Sequence, residues 1–279
     1  MTLLRNGLRL VPQSVRRSVR SGREKLRLAT SRRVTVDNAS ALRALSQQSL
    51  THLLQASLEQ AEEWARVTRT TAELGITDKA DGINPGDRRA LFALVSALRP
   101  KAVLEIGTHI GASTVHIAEA LRPQGGASLV TVDISDVNDP TTRPWRSFGA
   151  RMSPRELIGK IGMAASVRFV TASSLEYLRT THERFDFVFL DGDHSAKTVY
   201  RELPSALRVL NPGGAILLHD YFPDLTPLWP DGRVLPGSWL AVQRLRREGA
   251  RLTVLPLGDL PWATKQGTRR TSLALVVGS

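Results

Sequence analysis

After Pro100 the sequence alternates between short apolar runs and stretches with helical periodicity. This alternation is typical of a parallel sheet whose strands are joined by crossover helices. We predict seven strands, at residues 102–106, 129–133, 167–171, 185–191, 215–219, 252–257 and 272–277. Helices are predicted near residues 112–121, 154–161, 174–180, 196–210 and 238–248. The pattern therefore predicts an α/β fold with a doubly wound, mostly parallel, seven-stranded sheet.

The chain before this pattern has a different character. Residues 34–81 are predicted to form a helical N-terminal extension, with Asp37 and Ser40 as candidate N-caps. Residues 77–87, TDKADGINPGD, have the composition of a turn and could cover a site. We therefore divide the chain into a basic and possibly flexible tail at 1–33, the helical extension at 34–81, and a main domain at 82–279.

The net charge of +12 comes mostly from the first 33 residues. They hold ten lysines and arginines against one acid, Glu24, whereas the other 246 residues carry 28 basic and 25 acidic groups. A basic tail on a nearly balanced globule says little about what the globule binds. Pro12 and Gly22 are predicted to interrupt any single helix in the tail. We expect the tail to contact an anionic surface, to act as an organelle-targeting segment, or to be a solvated extension.

The composition excludes several kinds of chemistry. The chain has no cysteine, which removes disulfides, thiolate metal sites and thiol nucleophiles and fits a reducing compartment. It has no run of eighteen apolar residues and no apolar block near its start, so neither a membrane span nor a secretory signal is predicted. We expect a soluble, cytoplasmic protein, with organelle targeting by the basic N-terminus as the alternative.

The first predicted strand leads into a turn that suits an anionic ligand. Glu105 and Gly107 end the strand, and Gly111 and Ser113 begin the following helix. Gly107 would let a ligand approach the backbone, Gly111 would allow strand and helix to pack closely, and the free amides of the helix start favour an anion. His109 occupies the middle glycine position of the dinucleotide pattern G-x-G-x-x-G, so the turn is a nucleotide-type cradle without that fingerprint.

Polar residues also follow the later strands. Asp133 ends the second strand, where a carboxylate can accept hydrogen bonds from both ribose hydroxyls. Asp191 and His194 follow the fourth strand, and His219 and Asp220 follow the fifth. Adjacent parallel strands bring such ends side by side, so Asp191 and Asp220 could hold a hard divalent cation with His194 nearby.

The acceptor of any reaction here is expected to bind among the less regular segments. These are residues 77–87, residues 222–237 with Trp229, and residues 259–270 with Trp262 and Lys265. Aromatic rings in such segments could stack on the face of a sugar or flat ring, or could fix the loops onto the core.

Together the strand-end motifs resemble those of class I S-adenosylmethionine-dependent methyltransferases. They resemble specifically the metal-dependent small-molecule O-methyltransferases, which include catechol O-methyltransferase and the macrocin- and cephamycin-type enzymes. The resemblance covers about residues 82–279 and implies a Rossmann-like methyltransferase fold for that domain. It also implies S-adenosylmethionine as cofactor, a divalent cation with magnesium as the natural occupant, and a small-molecule hydroxyl acceptor.

The resemblance implies roles for individual residues. The residues implied to contact the cofactor are Glu105, Gly107, Gly111, Ser113, Asp133, Ala172, Ser173 and Asp191. Asp191 and Asp220 match metal ligands, and His194 occupies the position of the general base. His219 stands where relatives in the antibiotic branch often carry a third carboxylate, and we include it among the metal ligands. If His219 contacts the metal directly, the site becomes more tolerant of manganese, iron or zinc; if it does not, magnesium remains the natural occupant.

We therefore predict an O-methyltransferase that acts on a hydroxyl of a glycosyl or polyketide-like natural product, by metal-assisted in-line methyl transfer with a histidine base. The alternatives are an RNA-modifying methyltransferase that uses the basic tail, a non-catalytic binding protein on the same fold, and a dinucleotide-dependent oxidoreductase. Nucleic acid is the less favoured partner, because the remaining charge of +3 forms no evident patch. The N-terminal helices could also join copies of the chain into a homo-oligomer.

Overall fold

A seven-stranded sheet forms the centre of the molecule, which we describe from a computed structural model over residues 13–278. The strands are Ala102–Ile106 (β1), Ser128–Asp133 (β2), Val167–Thr171 (β3), Phe185–Leu190 (β4), Leu210–Leu218 (β5), Thr253–Pro256 (β6) and Ala274–Val277 (β7). Their order in the sheet is β3-β2-β1-β4-β5-β7-β6. β1 to β5 run parallel to one another, and β7 runs antiparallel to both of its neighbours. This confirms the predicted sheet.

The order of the strands creates a crevice beside β1. The chain passes from β1 to β2 on one side and returns to β4 on the other, which makes β1 the topological switch point. Ile106, the last residue of β1, pairs with Val132 on β2 and with Leu190 on β4. The carboxyl ends of these three strands are therefore level with one another, where ligands bind in open α/β sheets.

Helices cover both faces of the sheet within the described range. They are Gln13–Ala29 (α1), Gln47–Ala56 (α2), Ala61–Glu73 (α3), Pro85–Leu98 (α4), Ala112–Leu121 (α5), Pro154–Lys160 (α6), Ser174–Thr180 (α7), Ala196–Arg208 (α8) and Gly237–Arg247 (α9). Alternate residues of β4 enter different cores: Phe187 and Phe189 pack with α4 and α5, whereas Val188 and Leu190 pack with α8 and α9. This is the alternation expected of a strand buried on both faces.

The basic N-terminal segment differs from its sequence prediction. α1 runs through Gly22 without a break, and Pro12 lies outside the described residues. Ser21, Glu24 and Leu28 are buried at helical spacing. Glycine within a helix costs about 1 kcal/mol relative to alanine, a cost that the burial of this face can offset. The proposed division of the chain at residues 33 and 81 stays a prediction.

The helical extension also begins later than expected. A 3-10 turn covers Ala39–Ala41, and α2 starts only after Ser46. The Ser46 hydroxyl accepts a hydrogen bond from the Ser49 amide at 3.0 Å, so Ser46 is the N-cap of α2, and the prediction of Asp37 or Ser40 was wrong. An N-cap is set by which oxygen reaches the free amides, and several polar residues before this helix compete for that position.

Most predicted strand boundaries agree with the structure within one or two residues, but β5 begins five residues earlier than expected. Leu210 already pairs with Phe185, and the register shifts before Ala215 pairs with Phe187. The sequence Asn-Pro-Gly-Gly at 211–214, which has the composition of a turn, forms this irregularity inside the strand. Of the helices within residues 13–278, none has the length and apolar character needed to cross a bilayer.

Candidate active site

A cavity of about 880 Å³ opens at the carboxyl ends of the central strands. It has three regions: one beside the ends of β2 and β3, one where the ends of β4 and β5 meet, and one along the loop between β5 and α9. The first region is lined by Asp133, Ala172 and Ser173. The second is lined by Asp191, His194, His219 and Asp220. The third is lined by Phe222, Trp229, Arg233 and Leu235. Most of the predicted cofactor, metal and acceptor residues therefore line one continuous space; Glu105, Gly111 and Trp262 do not.

The turn after β1 is shaped by two glycines with positive φ. Gly107 has φ +100°, and a Cβ there would lie 2.3 Å from the Asp191 carbonyl oxygen. Gly111 has φ +79°, and its Cβ would lie 3.0 Å from Pro154 Cβ. Gly107 lines the cavity, whereas Gly111 lies on the packing side of the turn, against α6. Gly111 could therefore affect cofactor binding only indirectly, by allowing the turn after β1 to adopt its conformation.

The Asp133 carboxylate is fixed at the edge of the cavity. Its Oδ2 accepts hydrogen bonds from the Thr108 amide at 3.1 Å and the His109 amide at 3.0 Å. Its Oδ1 accepts from the Ser135 amide at 3.0 Å. These bonds tie the end of β2 to the turn after β1 and orient the carboxylate, which retains lone pairs for a ligand.

Glu105 lies beneath this turn and does not line the cavity. Its side chain is fully buried, and its Oε2 accepts hydrogen bonds from the hydroxyls of Thr114 and Thr131, each at 2.6 Å. Burial raises the pKa of Glu105 to about 7, although the hydroxyls of Ser113, Thr114 and Thr131 oppose this shift. The residue joins β1, β2 and α5, and its contact with a cofactor stays a prediction.

The remaining cofactor candidates lie on the cavity wall. Ser113 is in the first turn of α5, and Ala172 follows β3, where its amide donates to the Asp133 carbonyl oxygen at 2.9 Å. Ser173 is the N-cap of α7, and its hydroxyl accepts from the Glu176 amide at 3.3 Å. Its side-chain oxygen therefore already has a partner within the protein.

Two histidines and two aspartates converge where β4 and β5 end. His219 Nδ1 lies 2.9 Å from Asp191 Oδ1 and 3.6 Å from Asp220 Oδ1. His194 Nε2 lies 3.5 Å from Asp220 Oδ2 and 3.9 Å from Asp191 Oδ1. The sequence prediction that these strand ends come together rests on the pairing of β4 with β5, which the structure contains.

His219 is the most constrained member of this group. Although burial opposes it, the negative charges of Asp191 and Asp220 raise the pKa of His219 well above its usual value. Both ring nitrogens are buried without a hydrogen-bond partner in the described structure, as is Oδ1 of Asp87. Asp87 Oδ2 lies 3.6 Å from His219 Nε2. Asp87 was missed as a site residue, although it belongs to the 77–87 segment that was expected to cover a site.

This donor set fits a divalent cation. Orphaned buried imidazole nitrogens beside carboxylates are groups that a metal ion can satisfy. Donor atoms of Asp191, His194 and His219 all lie within 4.8 Å of one another. The predicted set was Asp191, His219 and Asp220, so the structure groups His194 with the ligand candidates in place of Asp220. Asp220 has φ +53°, and its Oδ1 accepts from the Ser272 hydroxyl at 3.4 Å.

The end of the cavity formed by residues 222–237, where the acceptor was predicted to bind, is partly aromatic. Trp229 and Phe222 pack edge to face with ring centroids 5.5 Å apart. The Lys265 ammonium lies 4.7 Å from the centre of the Trp229 ring and 3.2 Å from Asp231 Oδ2. Trp262 does not reach the cavity, because its indole nitrogen donates to the Gly86 carbonyl at 2.9 Å and packs the loop against α4.

The chain is similar to known methyltransferases. Residues 104–221 match the model of a family described as a methyltransferase domain. A putative O-methyltransferase of Mycobacterium sp. is 28% identical, over 73% of this chain and 88% of that protein. A catechol O-methyltransferase of Niastella koreensis is 29% identical, over 66% of this chain and 75% of its own length. An O-methyltransferase from Bacillus cereus, solved in complex with SAH, superposes with a TM-score of 0.52 at 20% identity, over 84% of this chain and 100% of that one.

Proposed function

We propose that this chain, which is similar to S-adenosylmethionine-dependent O-methyltransferases of class I, methylates a hydroxyl of a glycosyl or polyketide-like small molecule. The observation that carries the proposal is the shared cavity. A nucleotide-type cradle at Gly107 and Asp133 opens into the same space as His194, with an aromatic wall at Trp229 beyond it.

The cofactor is proposed to lie along the end of the sheet. The amides at the start of α5, beside Gly107 and Ser113, suit the carboxylate of its methionine part. Asp133, already oriented by two amides, suits the ribose hydroxyls. Ala172 and Ser173 border the place left for the adenine. A cofactor held in this way would have its sulfonium group on the side of the cluster at the ends of β4 and β5.

We propose that Asp191, His219 and Asp220 hold a divalent cation and that His194 is the general base. A bound cation would lower the pKa of an acceptor hydroxyl. The assignment of His194 is supported by its exposure, because 32% of its side chain is accessible against 14% for Asp191 and for His219. With the His219 imidazole as a ligand, the site would tolerate manganese, iron or zinc in place of magnesium.

The residues of this chain then have distinct tasks. His194 Nε2 accepts the proton of the acceptor hydroxyl, and Asp220, 3.5 Å away, stabilises the imidazolium that results. S-adenosylmethionine, when bound, would supply the methyl group: the hydroxyl oxygen would bond to the methyl carbon as the carbon–sulfur bond breaks, which gives a methyl ether and S-adenosylhomocysteine. Because a methyl sulfonium is already activated, alignment of the two substrates in the cavity contributes much of the rate.

The acceptor class is inferred from the loops at the far end of the cavity. Trp229 is largely buried but lines this end of the cavity together with Leu235, and Arg233 adds a polar group there. Asp81 and Asn84 are further polar residues of the cavity wall. This combination suits a molecule with several hydroxyls and one apolar face, such as a sugar, better than a small planar catechol.

Calorimetric titration of the full chain with S-adenosylhomocysteine tests the cofactor, and repeating it with Mg²⁺, Mn²⁺ or a chelator tests the cation. Methyl transfer from labelled S-adenosylmethionine is then measured with methyl glycosides, a catechol and RNA as acceptors. We expect binding of S-adenosylhomocysteine and transfer to glycosides. Methyl transfer to RNA that weakens steeply as salt rises would contradict the small-molecule proposal and favour an RNA-modifying enzyme. Tight NADH binding without S-adenosylhomocysteine binding would contradict the methyltransferase function and favour an oxidoreductase.

A further inference from the structure

The basic helix α1 presents apolar side chains to solvent and mainly polar side chains to the protein. Ser21, Glu24 and Leu28 are buried, whereas Val19 and Leu26 have relative exposures of 58% and 69%. At 3.6 residues per turn, Val19 and Leu26 lie about 20° apart around the helix axis and roughly opposite the buried side. The reverse orientation is usual for a surface helix, whose apolar side faces the core. The exposed Val19 and Leu26 therefore form an apolar stripe on the outer face of α1.

Cations lie on both sides of this apolar stripe. Arg23 lies on one side of it and Lys25 on the other, and both residues are exposed. Residues 18–33 contain six cations and one acid, Glu24. The Glu24 carboxylate is already engaged, because its Oε2 accepts a hydrogen bond from the Ala196 amide at 2.7 Å. The outer face of α1 therefore combines an apolar stripe with a net positive charge.

The contacts of α1 show in which direction the helix runs. Glu24 bonds to Ala196, the first residue of α8, which starts beside the cavity and leads away from it. One turn later along both helices, the Leu28 carbonyl accepts a hydrogen bond from the Arg244 guanidinium, which lies 4.2 Å from the centre of the Tyr200 ring. α1 therefore runs along α8 in the same direction, and its residues before Glu24 extend past the start of α8, toward the end of the molecule where the cavity opens.

We propose that this outer face of α1 binds the surface of an anionic lipid bilayer. Val19 and Leu26 would enter the boundary between headgroups and acyl chains, while Arg23 and Lys25 would lie among the anionic headgroups. Each contribution alone is small, and their combination on one face gives reversible binding to the surface. The inference does not depend on the proposed function, because it uses neither the cofactor nor the acceptor.

Two other occupants match this face less well. In a symmetric dimer the same patch would face itself, which would bring the cations of one copy against those of the other. A nucleic acid would pair with the cations through its phosphates but would leave Val19 and Leu26 in contact with water. An anionic lipid surface matches both the charge and the apolar stripe.

The test is flotation of the full chain with lipid vesicles. One set of vesicles is phosphatidylcholine alone, and the other is an equal mixture of phosphatidylcholine and phosphatidylglycerol. Two double variants separate the two contributions. Val19→Gln/Leu26→Gln removes the apolar stripe and keeps the charge, whereas Arg23→Gln/Lys25→Gln removes flanking charge and keeps the stripe.

The matched controls are an apolar residue and a cation that are exposed elsewhere on the molecule. Leu58→Gln and Lys160→Gln serve this purpose, because both residues lie outside α1. Thermal unfolding of every variant reports whether the fold is retained, and it should be, since all of the substituted residues are exposed.

We expect wild type to bind the mixed vesicles about tenfold more tightly than the phosphatidylcholine vesicles, and we expect added salt to weaken this preference. Each double variant should lose about tenfold in affinity for the mixed vesicles, because each removes one of the two contributions. Leu58→Gln and Lys160→Gln should stay within about twofold of wild type.

The proposal is wrong if wild type does not bind the mixed vesicles, or if Val19→Gln/Leu26→Gln binds them as wild type does. Sedimentation velocity and a short single-stranded RNA test the other two occupants. A wild-type dimer that Val19→Gln/Leu26→Gln converts to a monomer would assign the face to a second copy of the chain. RNA that releases wild type from the vesicles, and that binds Val19→Gln/Leu26→Gln equally well, would assign the face to nucleic acid.

Discussion

The backbone of Gly107 lies directly against that of Asp191, so close that a Cβ on Gly107 would be 2.3 Å from the Asp191 carbonyl oxygen. The turn after β1 and the loop after β4 therefore pack together only because residue 107 has no side chain. The same contact sets the floor of the cavity between the cofactor cradle and the His–Asp cluster.

Gly107→Ala should consequently damage both stability and cofactor binding. The methyl group adds a clash to a backbone with φ +100°, and such effects together cost about 2–4 kcal/mol. The free energy of unfolding and the affinity for S-adenosylhomocysteine are the measurements. Gly162→Ala is the control, because Gly162 has φ +72° but open space around its Cβ position. If Gly107→Ala and Gly162→Ala lower the free energy of unfolding equally, the contact with the Asp191 carbonyl does not contribute to the cost.

His194→Ala should lower turnover by about a hundred to ten thousand fold, the usual contribution of a positioned base. Affinity for S-adenosylhomocysteine should stay within a few fold, because the imidazole acts on the acceptor. His182→Ala is the control, because His182 is an exposed histidine in a loop, and its turnover should equal that of wild type. Activity retained within a few fold in His194→Ala would remove this residue from the role of base.

Asp191→Asn should weaken binding of a divalent cation. The substitution replaces a carboxylate that lies 2.9 Å from His219 Nδ1 by a neutral amide of nearly the same shape. Titration with Mn²⁺ in the absence of substrates measures this directly. Asp193→Asn is the matched control, since Asp193 instead accepts hydrogen bonds from the hydroxyls of Ser195 and Thr198. Unchanged Mn²⁺ affinity in Asp191→Asn would contradict the proposed ligand.

Glu105→Gln should change how stability depends on pH. Because the folded pKa of Glu105 is raised to about 7, the wild-type carboxyl keeps its proton in the folded state while the unfolded chain loses it near pH 4.5. Its contribution to stability is thus fully present below pH 4.5 and is lost as pH rises through 7. The free energy of unfolding of Glu105→Gln minus that of wild type should therefore increase by up to about 3 kcal/mol between pH 4.5 and pH 7.

Chemical denaturation of both proteins at several pH values provides this difference. The difference is needed because other groups titrate in the same window. Burial lowers the pKa of His116 to about 4, so its contribution runs the opposite way: it is lost as pH falls from 6.5 toward 4. A difference curve that is flat between pH 4.5 and 7 would mean that Glu105 ionises normally in the folded protein.

The sheet and its helices followed from the sequence because periodicity and strand-end chemistry are local signals. β1 and α5 have the predicted boundaries, and the side-by-side placement of Asp191 and His219 follows from parallel pairing of the strands before them. Within the site, the structure adds distances and the grouping of His194 with these two residues.

The features that sequence reasoning missed depend on contacts between distant segments. α1 was expected to break at Gly22, but its buried face and the bond from Ala196 to Glu24 connect residues 172 positions apart. Asp87 lies in the first turn of α4 and Arg233 lies in the loop before α9, and tertiary packing sets where the two side chains lie. The sequence predicted that residues 77–87 and 222–237 could lie beside a site, but it did not predict which of their side chains would do so.

The hydrogen bond between Glu24 and the Ala196 amide has a practical consequence for work with this protein. It satisfies an amide in the first turn of α8 that would otherwise need water or another acceptor. Removing α1 to improve purification would therefore leave this amide, two residues after His194, without its acceptor. Enzyme assays are best run on chains whose first thirty residues are intact, and poor activity of a shortened version would say little about the chemistry of the whole.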